Sequence, residues 1–387
     1  MALPLNYSLR NALVRWRSTI ATVLGIALVV FVFVLLQSLA AGIEKSSSNT
    51  GDPRNIMVVR KGSTAESASL ISRQTLTEIR YFEEIARNEN GEPIISADVL
   101  VLASLPRRDG SGEANVLLRG VTARGLELRP QVKISEGRWF EAGKREIVVS
   151  AKLAKRFANF DIGQSFKTGS ATFTVVGWLE GGGSAFDSEC WLDADECRST
   201  FERDMYSSFL IQPSDEGAGE KLIARIEADR RFKLKAEKEV EYYRKQTMTA
   251  APIKWLGGFL AVMMSVGAVF AAMNTMYAAV GARTREIGTL RVLGFRRRSV
   301  VAALLLEGGL LALVGGVLGC AIAFYWNGYT TATMGMETFS EIVFEFRVTP
   351  KLVVEGLVFA FIVGLIGTLF PAIRAARLPV ILALKSI

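Results

Sequence analysis

Four stretches of this 387-residue chain, 18–43, 255–282, 308–336 and 356–373, contain no Asp, Glu, Lys or Arg. No other feature restricts the fold as strongly. Roughly 20 helical residues at about 1.5 Å each cross the roughly 30 Å hydrocarbon core of a bilayer, and each stretch is long enough or nearly so. Half of the residues are hydrophobic and the mean hydropathy is +0.28, values set by these stretches rather than by an even spread. The first stretch has an apolar core longer than the roughly 7–15 residues of a secretory leader, so it reads as a retained span although Ser38-Leu39-Ala40 would pass as a cleavage site.

Charge then sets the topology. The arm 1–17, the segment 283–298 and the tail 374–387 together hold twelve Lys and Arg against the single acid Glu286. Residues 44–254 hold 32 basic and 32 acidic residues, and 327–351 hold two basic against three acidic. Because basic residues in short segments mark the cytoplasmic side, both termini and 283–298 are expected inside, with 44–254 outside. The positive total therefore reflects membrane orientation, and the neutral large segment lacks the basic face that nucleic-acid binding needs. Histidine is absent, which excludes His-ligated metals and Ser-His or Cys-His nucleophile pairs.

The expected organisation is an α-helical membrane protein with four transmembrane helices and an α/β domain inserted between spans 1 and 2. In order it has an amphipathic helix 1–17, span 18–43, domain 44–254, span 255–282, inner segment 283–298, span 299–326, outer loop 327–351, span 352–373 and tail 374–387. Inside the domain, 56–59, 94–105, 114–121, 208–211 and 232–236 read as strands, and 69–87 and 219–230 as helices. They suggest one βαββαβ sheet interrupted by an insertion at about 130–205. The insertion carries strands 146–149 and 171–179, a helix 151–158 and a Gly181-Gly182-Gly183 loop. Residues 42–47 and about 240–254 read as outward continuations of spans 1 and 2.

Cys190 and Cys197 lie in the insertion, and their spacing leaves open either a disulfide or two small buried residues. The neighbouring Asp187, Glu189, Asp193, Asp195 and Glu196 read as a solvated loop rather than a cation site, and no metal is expected. Small residues at i+4 spacing, Gly267, Ala271, Thr275 and Ala279 in span 2, Gly308, Ala312, Gly316 and Cys320 in span 3 and Gly356, Ala360, Gly364, Thr368 and Ala372 in span 4, read with Gly319 as helix-packing positions. Asn274 and Glu307 are the polar residues in or near spans. Glu307 lies nine residues past Arg298, which favours a paired or capping role at the boundary over a transport role.

The segment R-T-R-E-I-G-T-L-R-V-L-G-F-R-R-R at 283–298, followed by E-x-x-x-L-x-x-x-G-G-x-x-G from Glu307 to Gly319, resembles the MacB/FtsX-like permeases of ABC transport systems. Residues 11–26 and 371–384 are similar to the same family, as are E-G-R-W-F at 136–140 and V-V-G at 175–177 in the outer domain. The resemblance implies that 283–298 is a coupling helix docked on an ATPase. Its residues would be Arg283, Arg285, Glu286, Ile287, Gly288, Leu290, Arg291 and Leu293, with Gly294 ending the helix near left-handed geometry. The sequence has no G-x-x-x-x-G-K-[ST] and begins almost at the membrane, so the ATP and Mg are expected on a separate ATPase subunit. This chain is expected to bind no cofactor and to be no enzyme. A second permease copy or a paralogue is implied as partner, with an adaptor and outer-membrane channel in exporting systems, in a bacterial inner membrane. The cargo class would be a hydrophobic compound, peptide, lipid or lipoprotein. The alternative is an FtsX-like signalling protein that activates a cell-wall hydrolase.

The charge asymmetry makes a topological prediction. A cysteine placed at Ser111 should react with a membrane-impermeant maleimide in spheroplasts, and one at Thr289 only after lysis. The reverse pattern would invert the topology.

Overall fold

In the computed structural model, residues 16–246, 250–334 and 339–377 are described. Residues 1–15 of the amphipathic arm and 378–387 of the tail fall outside them. Contacts divide the chain into two compact units, one of residues 1–41, 251–329 and 346–387, the other of residues 42–250 with 330–345.

The first helix, α1 (Trp16–Ser48), carries span 1 and runs on into the second unit. There follow β1 (Ile56–Arg60), α2 (Arg73–Ile79), β2 (Ile95–Pro106), β3 (Glu113–Val121), α3 (Ala123–Glu127) and β4 (Lys133–Gly137). Next come β5 (Glu146–Ser150), α4 (Ala151–Ala154), β6 (Ser165–Thr168), β7 (Ala171–Glu180), β8 (Glu189–Asp193) and α5 (Ala194–Thr200). The inserted part closes with β9 (Ser208–Ile211), α6 (Glu216–Ala228), β10 (Leu234–Lys238) and α7 (Glu239–Gln246). After it stand α8 (Ala250–Ala282), α9 (Thr284–Val292), α10 (Arg297–Tyr325), a hairpin of β11 (Thr330–Met334) and β12 (Glu341–Glu345), and α11 (Pro350–Arg377).

Among the described residues, α1, α8, α10 and α11 are long and apolar enough to cross a membrane, and the α/β domain lies between the first and second. Lipid supplies no hydrophobic drive between helices, so close approach depends on small side chains. A Cβ added at Gly316 would stand 2.8 Å from that of Ala360, and one at Gly319 would stand 2.5 Å from the carbonyl oxygen of Ala27. One at Gly364 would collide with Ala312. These glycines therefore bring α10 against α11 and α1. Span 2 turns a different stripe toward the rest of this chain. Gly267 and Ala271 are exposed, with nothing within 4 Å of a Cβ at Gly267, and Asn274 lies exposed with them. The buried positions are Ala261, Ala268, Ala272, Met276 and Val280. The i+4 stripe that meets the rest of the bundle is thus one residue further on, about 100° around the helix.

The second unit is built on one sheet of order β10-β1-β9-β2-β3-β8-β5-β7-β4, with β6 paired to β7. The four strands β1, β2, β9 and β10, with α2 and α6, form the βαββαβ frame. Segment 130–205 extends the same sheet, because β8 lies parallel to β3 and carries the remaining strands outward. Both faces are covered: Ile56 and Val58 enter one core, and Met57 and Val59 enter the other, as strand alternation requires. Helix α2 is shorter than the amphipathic run 69–87 because its flanks are extended, Ile71 bridging Tyr206 and Ile85 bridging Pro213. The helix expected at 151–158 stops at Ala154, and Phe157 bridges Arg107.

Cys190 and Cys197 are free thiols, not a disulfide. Cys190 sits in β8 and Cys197 in α5, packed so closely on β3 that a Cβ on Gly120 would stand 2.6 Å from that of Cys197. Burial pushes both thiols up, Cys197 to about 12. The acidic run beside them is not a solvated loop either. Asp187 and Glu189 are buried, and Asp193 caps α5 by accepting from the amides of Asp195 and Glu196.

Glycine packing gives a paired prediction. Gly316→Val should cost about 1–3 kcal/mol by overpacking the α10–α11 contact, whereas Gly267→Val should leave the detergent-solubilised chain within about 0.5 kcal/mol of the parent. Thermal unfolding monitored by tryptophan fluorescence separates the two, and equal losses would place span 2 differently.

Candidate functional site

Two constellations hold the polar groups that the fold has taken most trouble to position, one in each unit. The first is the short connection between spans 2 and 3. Helix α9 buries Ile287 and Gly288, with Ile287 joining Met276, Val280, Val300, Leu304 and Ala372 in one apolar cluster. Arg285, Glu286 and Thr289 are exposed, and so are Val292 and Leu293, at 60% and 70%. Leu290 and Arg291, which the sequence assigns to the docking face, are half-buried. Arg291 Nη1 donates to the carbonyl of Phe295 at 3.3 Å and so braces the helix end. Gly294 takes φ +91°, and the Phe295 amide closes back on Leu290 O at 3.2 Å. Val292, beside Leu293 at the helix end, is exposed as well and is absent from the residues singled out in the sequence.

The start of α9 is fixed by an ion pair. Arg283, its N-terminal flanking residue, donates from Nη1 to both carboxylate oxygens of Glu307 at 3.1 Å. The side chains are only 12% and 10% exposed. Glu307 is thus paired, and its partner belongs to the connection it would have to position. Unscreened by water, such a pair holds α9 to α10 more firmly than a surface pair would.

The second constellation lies in the inserted domain, where the segment after α1 meets the start of α7. Arg119 on β3 is fully buried. It donates from Nε and Nη2 to Glu189 at 2.7 and 2.8 Å, and from Nη2 and Nη1 to Glu66 at 2.9 and 3.2 Å. Arg129 donates to Asp98 at 2.5 Å and stands 3.8 Å from Glu239. The Phe186 ring lies 5.5 Å from each guanidinium. Tyr243 donates to Glu66 at 3.2 Å, and Ser208 does so at 2.7 Å.

Glu239 opens α7 and accepts from the amide of Asp52 at 2.8 Å and from Asn55 Nδ2 at 3.0 Å. A Cβ at Gly51 would stand 2.8 Å from Glu239 Cγ, so the two segments are in direct contact. The Thr50 hydroxyl donates to the carbonyl of Ser46, the last full turn of α1, and accepts from the amide of Ala185. The chain leaving span 1 and the chain approaching span 2 are therefore tied to one buried charge cluster. Burial pushes Glu66 up, but Arg119 more than offsets it and holds the carboxyl below its ordinary value. At Glu239 burial wins over Arg129, and the carboxyl titrates above its ordinary value. No cluster able to hold a metal occurs among the described residues.

Residues 19–229 match the family model for the MacB-like periplasmic core domain, and residues 258–380 match that for the FtsX-like permease C-terminal domain. The chain is 24% identical to the uncharacterized ABC transporter permease YknZ of Bacillus subtilis, over 98% of this chain and 97% of that one. It is 25% identical to the macrolide export ATP-binding/permease protein MacB of Nitrosomonas europaea, over 94% of this chain but 55% of that longer protein. The solved extracellular domain of YknZ aligns over 48% of this chain and 100% of its own length, at 14% identity and TM-score 0.36. The periplasmic region of MacB from Actinobacillus actinomycetemcomitans aligns over 52% and 94%, at 12% identity and TM-score 0.38.

Arg119→Met should destabilise the inserted domain by about 3–5 kcal/mol, since it strands buried carboxylates, whereas Arg124→Met, at an exposed pair, should cost less than about 1 kcal/mol. Glu66 adds an acid dependence. With its folded pKa below 4.5, its contribution is complete above that pH and is lost as pH falls through the folded value. Glu66→Gln should flatten the fall of unfolding temperature between pH 5 and 3, measured on the full chain. An unchanged slope would remove Glu66 from the account.

Proposed function

The chain belongs to the MacB-like, FtsX-like permease family, and from that membership we propose that it is the membrane subunit of an ABC transport system, driven by a separate ATPase docked on α9. The single observation that carries this reading is α9 itself. It leaves Val292 and Leu293 exposed at its end, shortly before the exposed Arg296, Arg297 and Arg298, while Ile287 and the Arg283–Glu307 pair fasten it to the bundle. Two exposed aliphatic side chains at a helix end, rimmed by arginines, suit a groove with an acidic edge, and such anchors carry most of the energy of an interface.

The positive short segments favour α9 and both termini in the cytoplasm and the inserted domain outside. Closure of the ATPase would then push on α9, and the Arg283–Glu307 pair would pass the displacement to span 3. On the outer side, α1 runs unbroken to Ser48, and Glu239 ties its exit to α7. Displacement of spans 1 and 2 would thus reach the domain at the buried cluster, and work would be done outside the membrane. ATP and Mg belong to the partner. A second copy or a paralogue completes the permease, and the cargo is a hydrophobic compound, peptide, lipid or lipoprotein. The FtsX-like match of residues 258–380 favours, with equal weight, a second reading in which the same motion activates a cell-wall hydrolase. Co-purification separates the two: an adaptor or outer-membrane channel supports export, a peptidoglycan hydrolase supports signalling.

Val292→Asp with Leu293→Asp should detach the motor. Loss of two central anchors costs at least about 2 kcal/mol, or roughly 30-fold in affinity. The variant should insert and fold normally but fail to retain the ATPase from mild detergent. Retention at parental levels would make 283–298 a topogenic loop only.

A further inference from the structure

The 24 residues between α10 and α11 far exceed what a turn between antiparallel helices needs, roughly 2–8 residues, and they are not spent on a free loop. Residues 330–345 belong to the same compact unit as the inserted domain. Val343 is 1% exposed and sits in that domain's main core. Ser188 Oγ accepts from the Val343 amide at 2.8 Å and donates to its carbonyl at 3.3 Å. Asn115 donates to the carbonyl of Phe339 at 3.1 Å, and Lys152 bridges Glu345 and Asp187 at 2.8 and 2.9 Å.

The strongest fastening is ionic. The Glu341 carboxylate is 4% exposed and lies between two guanidiniums of the inserted domain, Arg107 at 2.5 Å and Arg156 at 2.6 Å. A carboxylate this buried is tolerable only with such partners, so the hairpin is stable where it is and costly to withdraw. Ser340 and Ile342 line a cavity of about 60 Å³ together with Glu66, Arg119, Glu189 and Tyr243. The hairpin therefore borders the cluster that already joins the chains of spans 1 and 2.

We propose that the β11–β12 hairpin is a second transmission arm, latched by Glu341 to Arg107 and Arg156, through which spans 3 and 4 drive the inserted domain at the same buried cluster. The inference rests on the permease reading and adds an input from spans 3 and 4, α10 and α11, which flank the hairpin. Span 3 begins next to α9 and carries Glu307, so this arm is a second covalent route from the motor to the outer domain. Rigid contacts with two discrete arrangements are what such coupling requires, and a twofold ion latch supplies one.

The test uses the full-length chain with its ATPase in nanodiscs, with bimane on a cysteine at Ser67, a half-buried residue on that cavity. The native thiols are buried and stay unlabelled. ATP with vanadate should shift the bimane emission in the parent. Glu341→Lys, or Arg107→Glu with Arg156→Glu, should cut that shift at least two-fold, and Glu341→Arg combined with both Arg→Glu changes should restore it. ATPase co-purification should be unchanged throughout. A full shift in Glu341→Lys would overturn the arm alone, whereas absence of any shift in the parent, or loss of the ATPase from it, would overturn the permease reading beneath it. Hydrogen exchange on the unsubstituted chain covers variants that fail to fold. Amides of residues 341–345 should exchange as slowly as those of β3 and β8, and exchange at free-loop rates would overturn the latch.

Discussion

A guanidinium taken wholly out of water has to be answered by carboxylates, and the inserted domain is arranged around two of them. Arg119 and Arg129 draw Glu66, Asp98, Glu189 and Glu239 together from positions spread along the chain. Replacing such a cluster with apolar side chains would often cost nothing in stability, while breaking it from one side costs several kcal/mol. What the charges add is specificity of arrangement. Each carboxylate comes from a different element, so the 3₁₀ turn at Glu66, strands β2 and β8 and the start of α7 are held in a single relation. Glu239 is the member that reaches toward the membrane-bound chain, since it holds the backbone of Asp52 and the side chain of Asn55.

The membrane unit answers a different constraint. With no hydrophobic drive between helices, contact depends on backbone proximity, which Gly316, Gly319 and Gly364 permit. The bundle then provides a fixed base for α9, whose Ile287 is buried and whose first turn is pinned through Arg283. A short helix of nine residues would not hold its shape in water alone, so its exposed face keeps its form because the bundle supports its other side.

The architecture was legible in the sequence because its signals are local. Four uncharged stretches are a matter of length and composition, and the βαββαβ frame follows from strand alternation and one amphipathic helix. Strands β4, β6 and β8 escaped because β4 and β6 hold one large apolar residue each, Ile134 and Phe166, and β8 lies between the acids Glu189 and Asp193. The stripe of Gly267 and Ala271 was visible as a stripe, but spacing fixes only which residues share a face, not which face the neighbouring helices cover. The buried cluster escaped for a related reason: Glu66, Asp98, Arg119, Glu189 and Glu239 look like any surface charges until the topology sets β2, β3 and β8 side by side. The hairpin did carry a local signal, Ile342-Val343-Phe344 between two glutamates, which reads as a short strand with its ends marked by charge.

Transmission to the inserted domain requires the outer cluster to respond to the state of the ATPase. Hydrogen exchange of residues 50–55 and 239–243 in the assembled complex, nucleotide-free and trapped with ATP and vanadate, measures that response without substitution or label. Exchange at both segments should change together, by a common factor of at least three, along with α9. Changes confined to α9 and the spans, with 50–55 and 239–243 unaltered, would contradict transmission to the inserted domain.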